Sequence, residues 1–166
     1  MMLGLSFSAF TIVHVVISLI GIATGAIVLW GMLSGKRFDG LTAVFLGTTV
    51  LTSVTGFMFP FNQLQPSHVV GLISLVLLAV ALVAHYGKQL SGAWRPVYVV
   101  TAVAALYLNV FVGVVQAFQK SGVLHALAPT QAEAPFVVAQ LAVLALFGVL
   151  GFLAVKRYQP ALGARA

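Results

Sequence analysis

Residues 7–33 read FSAFTIVHVVISLIGIATGAIVLWGML, with no Asp, Glu, Lys or Arg and only His14 able to take a charge near neutral pH. The hydrocarbon core of a bilayer is about 30 Å thick and needs about 20 apolar residues in helical form, so this stretch is long enough to cross it. A secretory signal does not account for the run. No basic residue precedes it, and it far exceeds the ~7–15 residues of a signal's apolar region. It reads as an uncleaved first membrane helix, from Phe7 to Leu33.

Working outward, polar residues and Pro/Gly punctuation cut the chain into four further stretches of the same kind. They run from about Leu41 to Phe59, His68 to Tyr86, Val97 to Phe118 and Phe136 to Val155. The expected fold is all-α, one domain over residues 1–166, a bundle of five transmembrane helices. Composition excludes a soluble domain: of 166 residues 61% are hydrophobic and 6% charged, against roughly 25% charged in soluble chains, and the mean hydropathy is +1.14. Without cysteine there is no disulfide, thiolate metal site or cysteine nucleophile.

The cations set an orientation. Lys36, Arg37, Lys88, Arg95, Lys156, Arg157 and Arg165 all fall in the first loop, the third loop or the C-terminal tail, leaving Lys120 alone on the other side. By the positive-inside rule the N-terminus lies outside and the C-terminus in the cytoplasm, as suits a bacterial-type inner membrane. Topology explains the pI of 10.2, so the basic balance predicts no nucleic-acid partner. The expected partners are the lipid bilayer and, where one chain lacks symmetry, a protein partner or a second copy. An odd helix count argues against a transporter made of two equal inverted halves. Tyr86, Trp94, Tyr98 and Tyr158 near the inner helix ends read as interfacial anchors.

Helix contact in lipid comes from small residues and buried polar groups. The first helix offers Gly21-x-x-x-Gly25 and Gly31-x-x-x-Gly35, each pair on one face. Thr48, Thr52 and Thr55 form a stripe on the second helix, which either lines a cavity or bonds to carbonyls one turn back. On the inner side, Asp39 either pairs a cation or caps the second helix.

The polar side chains cluster by depth. His14, Thr55, Asn62, His68, Asn109, Gln116, His125, Gln131, Glu133 and Gln140 fall in the outer half, and His85 alone lies near the inner end. Asn109 and Gln116, seven apart, share a face of the fourth helix. Polar groups facing lipid are costly, so they point inward, giving either an outward-opening pocket or a set of interhelical ties. Imidazole ligates haem iron, zinc and copper. His14 and His68, from two helices, are the candidate pair for one haem b, with Lys120 near a propionate. His14, His68 and His125, with Glu133 as base or fourth ligand, are the candidate divalent-metal set. Asn109, Gln116 and Gln140 would orient the head group of a quinone.

Three functions compete: a small redox protein holding haem b, a metal ion or a quinone for electron transfer; a non-catalytic accessory or assembly subunit; and a small-solute carrier or channel. A continuous polar path from Asn109 to His85 favours transport, and closure beneath Asn109 favours a cofactor or lipid site. The Ser121–Ala128 run predicts a short interfacial helix at the outer mouth, and Thr130 with Glu133 has capping-box spacing, with the cap of the last helix near Glu133 or Ala134. No HExxH, nucleophile elbow, Walker loop or dinucleotide fingerprint occurs, so no reaction is specified.

Overall fold

The structure, a computed structural model, describes residues 6–59 and 66–159; Asn62 and Arg165 lie outside the described residues. It is all-helical, with no strand among them. The elements are α1 (Phe7–Leu33), α2 (Asp39–Gly56), α3 (Pro66–Leu82) continued by a π-helical turn (Val83–Gly87), α4 (Trp94–Lys120), α5 (Gly122–Leu127) and α6 (Ala134–Arg157). Four helices, Phe7–Leu33, Ser67–Gly87, Trp94–Lys120 and Ala134–Arg157, are long and apolar enough to cross a membrane. They point outward with residues a soluble protein would bury, among them Leu19, Leu72, Val76, Val138 and Phe152, each about 59–63% exposed. Apolar residues that encircle the outside need lipid as their solvent, so the chain reads as an integral membrane protein.

Consecutive long helices run antiparallel. At one end the α1–α2 turn, the π turn, the start of α4 and the end of α6 meet: Phe38 packs on Gly31, Gly35 lies beside the Arg157 carbonyl, and His85 and Tyr158 both pack on Tyr98. At the other end, Thr55 meets His14, Phe57 meets His68 and Phe118 meets Phe136. Lys36, Arg37, Lys88, Arg95, Lys156 and Arg157 therefore share the first end. The core is deepest there, in Val28, Leu29 and Met32 of α1, Phe45 and Leu46 of α2, Leu78 of α3 and Ala102, Ala105 and Leu106 of α4.

Local rules explain how α1 starts and stops. Ser6 caps it, its hydroxyl accepting from the Ala9 N–H. Past its end, Lys36 N–H donates to Gly31 O and Gly35 N–H to Met32 O, the paired bonds of a Schellman turn. Gly35 sits at φ 66°, where a side chain is strained. This corrects the second small-residue pair: Gly35 lies beyond the helix and closes it, while Gly31 accommodates the Phe38 ring. The first pair does mediate helix contact. A Cβ at Gly21 would lie 3.2 Å from atoms of Asn109, Thr48 and Thr49, and one at Gly25 would lie 2.6 Å from Leu106.

The aromatic belt is also corrected. Tyr86 is exposed, but Tyr98 is 0% and Tyr158 3% exposed, so these two belong to the protein interior. Helix α4 presents Tyr98 to α3 and α6, and packing wins over the headgroup zone. The connection from α4 to α6 does contain a short helix, α5, and α6 takes Glu133 as N-cap with Pro135 in its first turn.

Candidate functional site

Polar side chains gather in three places along the bundle. At the end away from the cation cluster, His14 Nδ1 lies 2.7 Å from Thr55 Oγ1. The Thr55 hydroxyl gives its own proton to Leu51 O at 2.7 Å, so its oxygen accepts and His14 Nδ1–H donates. In that arrangement a neutral His14 carries its lone pair on Nε2. The His14 ring meets Phe59 edge-on at 5.1 Å, and Phe59 packs in turn on Phe10 and Phe7. His68, buried, packs on Phe57 at 5.7 Å. Each imidazole thus packs on its own phenyl ring at the end of α2.

His125 is exposed on α5. Among the described residues no three His, Asp or Glu side chains form a group able to hold a metal ion, so His14, His68, His125 and Glu133 are not brought together as a ligand set. Glu133 instead serves the loop. Its carboxylate accepts from the Thr130 N–H and hydroxyl and the Ala132 N–H. Desolvation raises its pKa, but these hydrogen bonds together outweigh that and hold it below the usual glutamate value. Gln116 is exposed and 3.4 Å from Gln119, which reaches Gln131 at 3.5 Å; Gln131 donates to Val115 O at 3.0 Å. The amide row fastens the α5–α6 loop to α4.

Midway, Asn109 and Gln140 are both buried. Gln140 Nε2 donates to Phe111 O at 3.2 Å, tying α6 to α4. Thr48 and Thr49 donate to Val44 O and Phe45 O, each at 2.7 Å, the backward bonding that lets threonine sit in an apolar helix. Ser53 and Ser74 link α2 to α3 at 3.3 Å. Asn109 Nδ2, Thr52 Oγ1 and Gln140 Oε1 close no hydrogen bond.

At the cation-bearing end lies a cluster the sequence reading set aside. His85 is 2% exposed, and neither ring nitrogen makes a hydrogen bond. Asp39 Oδ1 stands 3.6 Å from its Nε2 and is engaged by Arg37; that bond, chiefly, raises the Arg37 pKa. The His85 ring packs on Tyr86 at 4.6 Å and Tyr98 at 4.9 Å. The π turn carries it inward, a local widening common at functional sites. No sequence signature marks that turn; the usable signal was a lone inner histidine opposite Arg37-x-Asp39.

Among the described residues, apolar side chains separate the His85 cluster from the middle one. Thr42 and Thr49, about 10 Å apart along α2, are separated by Phe45 and Leu46, with Leu106 against them, all at most 2% exposed. This buried apolar layer lies between Asn109 and the His85 end of the bundle.

No family model, curated protein or solved structure matches the chain.

Proposed function

We propose that the chain crosses a bacterial-type inner membrane five times, N-terminus outside, as a single domain, and that its outer end binds the head group of a flat, bilayer-dissolved molecule of the quinone/quinol class. The observation that carries this reading is the His14–Thr55 bond. It leaves Nε2 as an acceptor for a quinol hydroxyl beside the apolar rings of Phe59 and Phe10. Asn109 and Gln140, each with an uncommitted amide atom, are available deeper in the same half. The Phe45–Leu46–Leu106 layer speaks for a closed site over a carrier or channel. The accessory-subunit reading has its own support: Ser53–Ser74 and Gln140–Phe111 tie neighbouring helices with no ligand needed.

The test is equilibrium binding of a short-chain ubiquinone analogue to the detergent-purified protein and to His14→Ala, beside oxidised and dithionite-reduced spectra. Saturable binding that His14→Ala abolishes supports the proposal. A Soret band lost in His14→Ala and His68→Ala would replace the quinone with haem. A colourless protein that binds no quinone leaves the accessory-subunit reading.

A further inference from the structure

A groove of about 300 Å³ runs along the outside of the bundle, between Ile22, Ala26, Trp30 and Leu33 of α1 and Leu146 and Leu150 of α6, with α4 as its floor. We propose that this groove is a binding site for one acyl chain of an anionic phospholipid, whose headgroup is held at Lys36. The inference is independent of the outer His14 site and rests only on the chain being a membrane protein.

Three observations support it. The first is length: Ile22 to Leu33 covers about 16 Å of helix, half the ~30 Å hydrocarbon core, so the groove matches a chain from one leaflet. The second is chemistry. The lining is apolar except for the indole of Trp30, which is 56% exposed and occupies the end nearer the cations, where an indole N–H suits the ester and headgroup level. The third is charge. Lys36 Nζ lies 5.7 Å from the Trp30 ring centroid, and Phe38 stacks on that indole at 6.3 Å with the planes 14° apart, so indole and ammonium are held together at the rim. The end of α6 adds Lys156 and Arg157, with the Arg157 carbonyl beside Gly35. The rim carries cations without a neighbouring acid except Asp39, which Arg37 already engages. An acyl tail alone would enter any apolar slot; the cationic rim selects a negative headgroup.

The chain has two tryptophans, so Trp94→Phe leaves Trp30 as the sole indole reporter. This variant is reconstituted in vesicles containing acyl-brominated phosphatidylglycerol or, separately, acyl-brominated phosphatidylcholine at equal mole fraction. A lysine near the membrane surface contributes about 1 kcal/mol toward an anionic lipid, which is about a fivefold preference at 1.4 kcal/mol per tenfold. Trp30 should be quenched with that preference for the anionic lipid. Lys36→Ala should lower the preference about fivefold while leaving quenching, and Ala26→Phe, which fills the groove, should reduce quenching by both lipids. Native mass spectrometry should show retained phosphatidylglycerol lost in Lys36→Ala, a readout that does not depend on Ala26→Phe folding. Equal quenching by the two lipids overturns the proposal. So does a Trp30 that neither lipid reaches, since a second copy or another protein would then cover the groove.

Discussion

Replacing Gly25 by alanine tests whether α1, α2 and α4 pack as closely as the structure shows. The added methyl would lie 2.6 Å from Leu106 Cδ1 and 2.8 Å from Phe45 Cδ2 and Cε2, where carbon atoms rest about 3.5–4.0 Å apart. Leu106 is 2% and Phe45 1% exposed, so neither moves aside without displacing packed neighbours. Overfilling of this kind costs about 1–3 kcal/mol. The helix regains roughly 0.5–1 kcal/mol because alanine has less backbone entropy to lose than glycine. The expected net loss is on the order of 1 kcal/mol. Gly47 and Gly148 provide the control, since a Cβ at either meets nothing within 4 Å; Gly47→Ala and Gly148→Ala keep the helix gain alone. Gly25→Ala should therefore fall below Gly47→Ala by about 1–3 kcal/mol, the overfilling term. Reversible unfolding in mixed micelles with rising dodecyl sulfate, followed by circular dichroism, measures the difference. Equal midpoints for these two variants would refute the packing argument.

Three other expectations follow from particular contacts. His85→Phe removes two buried ring nitrogens that lack hydrogen bonds, each such group costing about 1–3 kcal/mol, so the same unfolding assay should find it at least as stable as the parent; a marked loss would mean that His85 has a partner in the working protein. Ser53→Ala and Ser74→Ala should show a coupling of about 0.6 kcal/mol in a double-mutant cycle, the usual worth of a hydrogen bond between membrane helices, and strict additivity would deny the 3.3 Å contact. Because the Glu133 pKa is depressed in the folded loop, its contribution is complete above the ordinary glutamate value and is lost as pH falls through the folded one. Protection from amide exchange at Thr130 and Ala132, taken relative to the intrinsic rate at each pH, should fall over that acidic window in the parent and be low throughout in Glu133→Gln, and parent protection that does not change with pH would contradict the carboxylate's role.

The long helices were legible because a run such as residues 7–33 admits no other reading, and the ends α1 and α6 take follow local chemistry at Ser6, Gly35 and Pro135. The roles of individual polar groups were less legible. Depth along a helix can be counted from the sequence, and His14 and Thr55, expected at one depth, do meet. Direction around the helix could not be counted as well, because an almost uniformly apolar helix carries no polar face to set its rotation. Tyr98 and Tyr158 look like interfacial residues by position, yet both turn inward. The sequence singles out His85 but not its surroundings, because a π turn shifts its register by one residue, and that shift depends on packing against α4.

The count of membrane spans turns on α2. It is 18 residues long, about 27 Å of helix, close to the hydrocarbon thickness. Its threonines keep it less apolar than the four clear spans. Hydropathy averages over all faces, whereas α2 turns Thr42, Thr49 and Ser53 into the protein, and Thr48, Thr49 and Thr55 bond to their own helix, so lipid meets few unpaired groups. With five spans, Ser34 and Ser91 lie on one side of the membrane and Thr130 on the other. If α2 did not cross, Ser34 and Ser91 would lie on opposite sides. All three are exposed and the chain has no cysteine, so Ser34→Cys, Ser91→Cys and Thr130→Cys can each be labelled in intact cells with a membrane-impermeant maleimide. Labelling of Thr130→Cys alone, with the other two reacting only after lysis, is the expected result. Labelling of Ser34→Cys and Ser91→Cys from opposite sides would remove α2 from the membrane and, with it, the antiparallel pairing that brings Thr55 to His14.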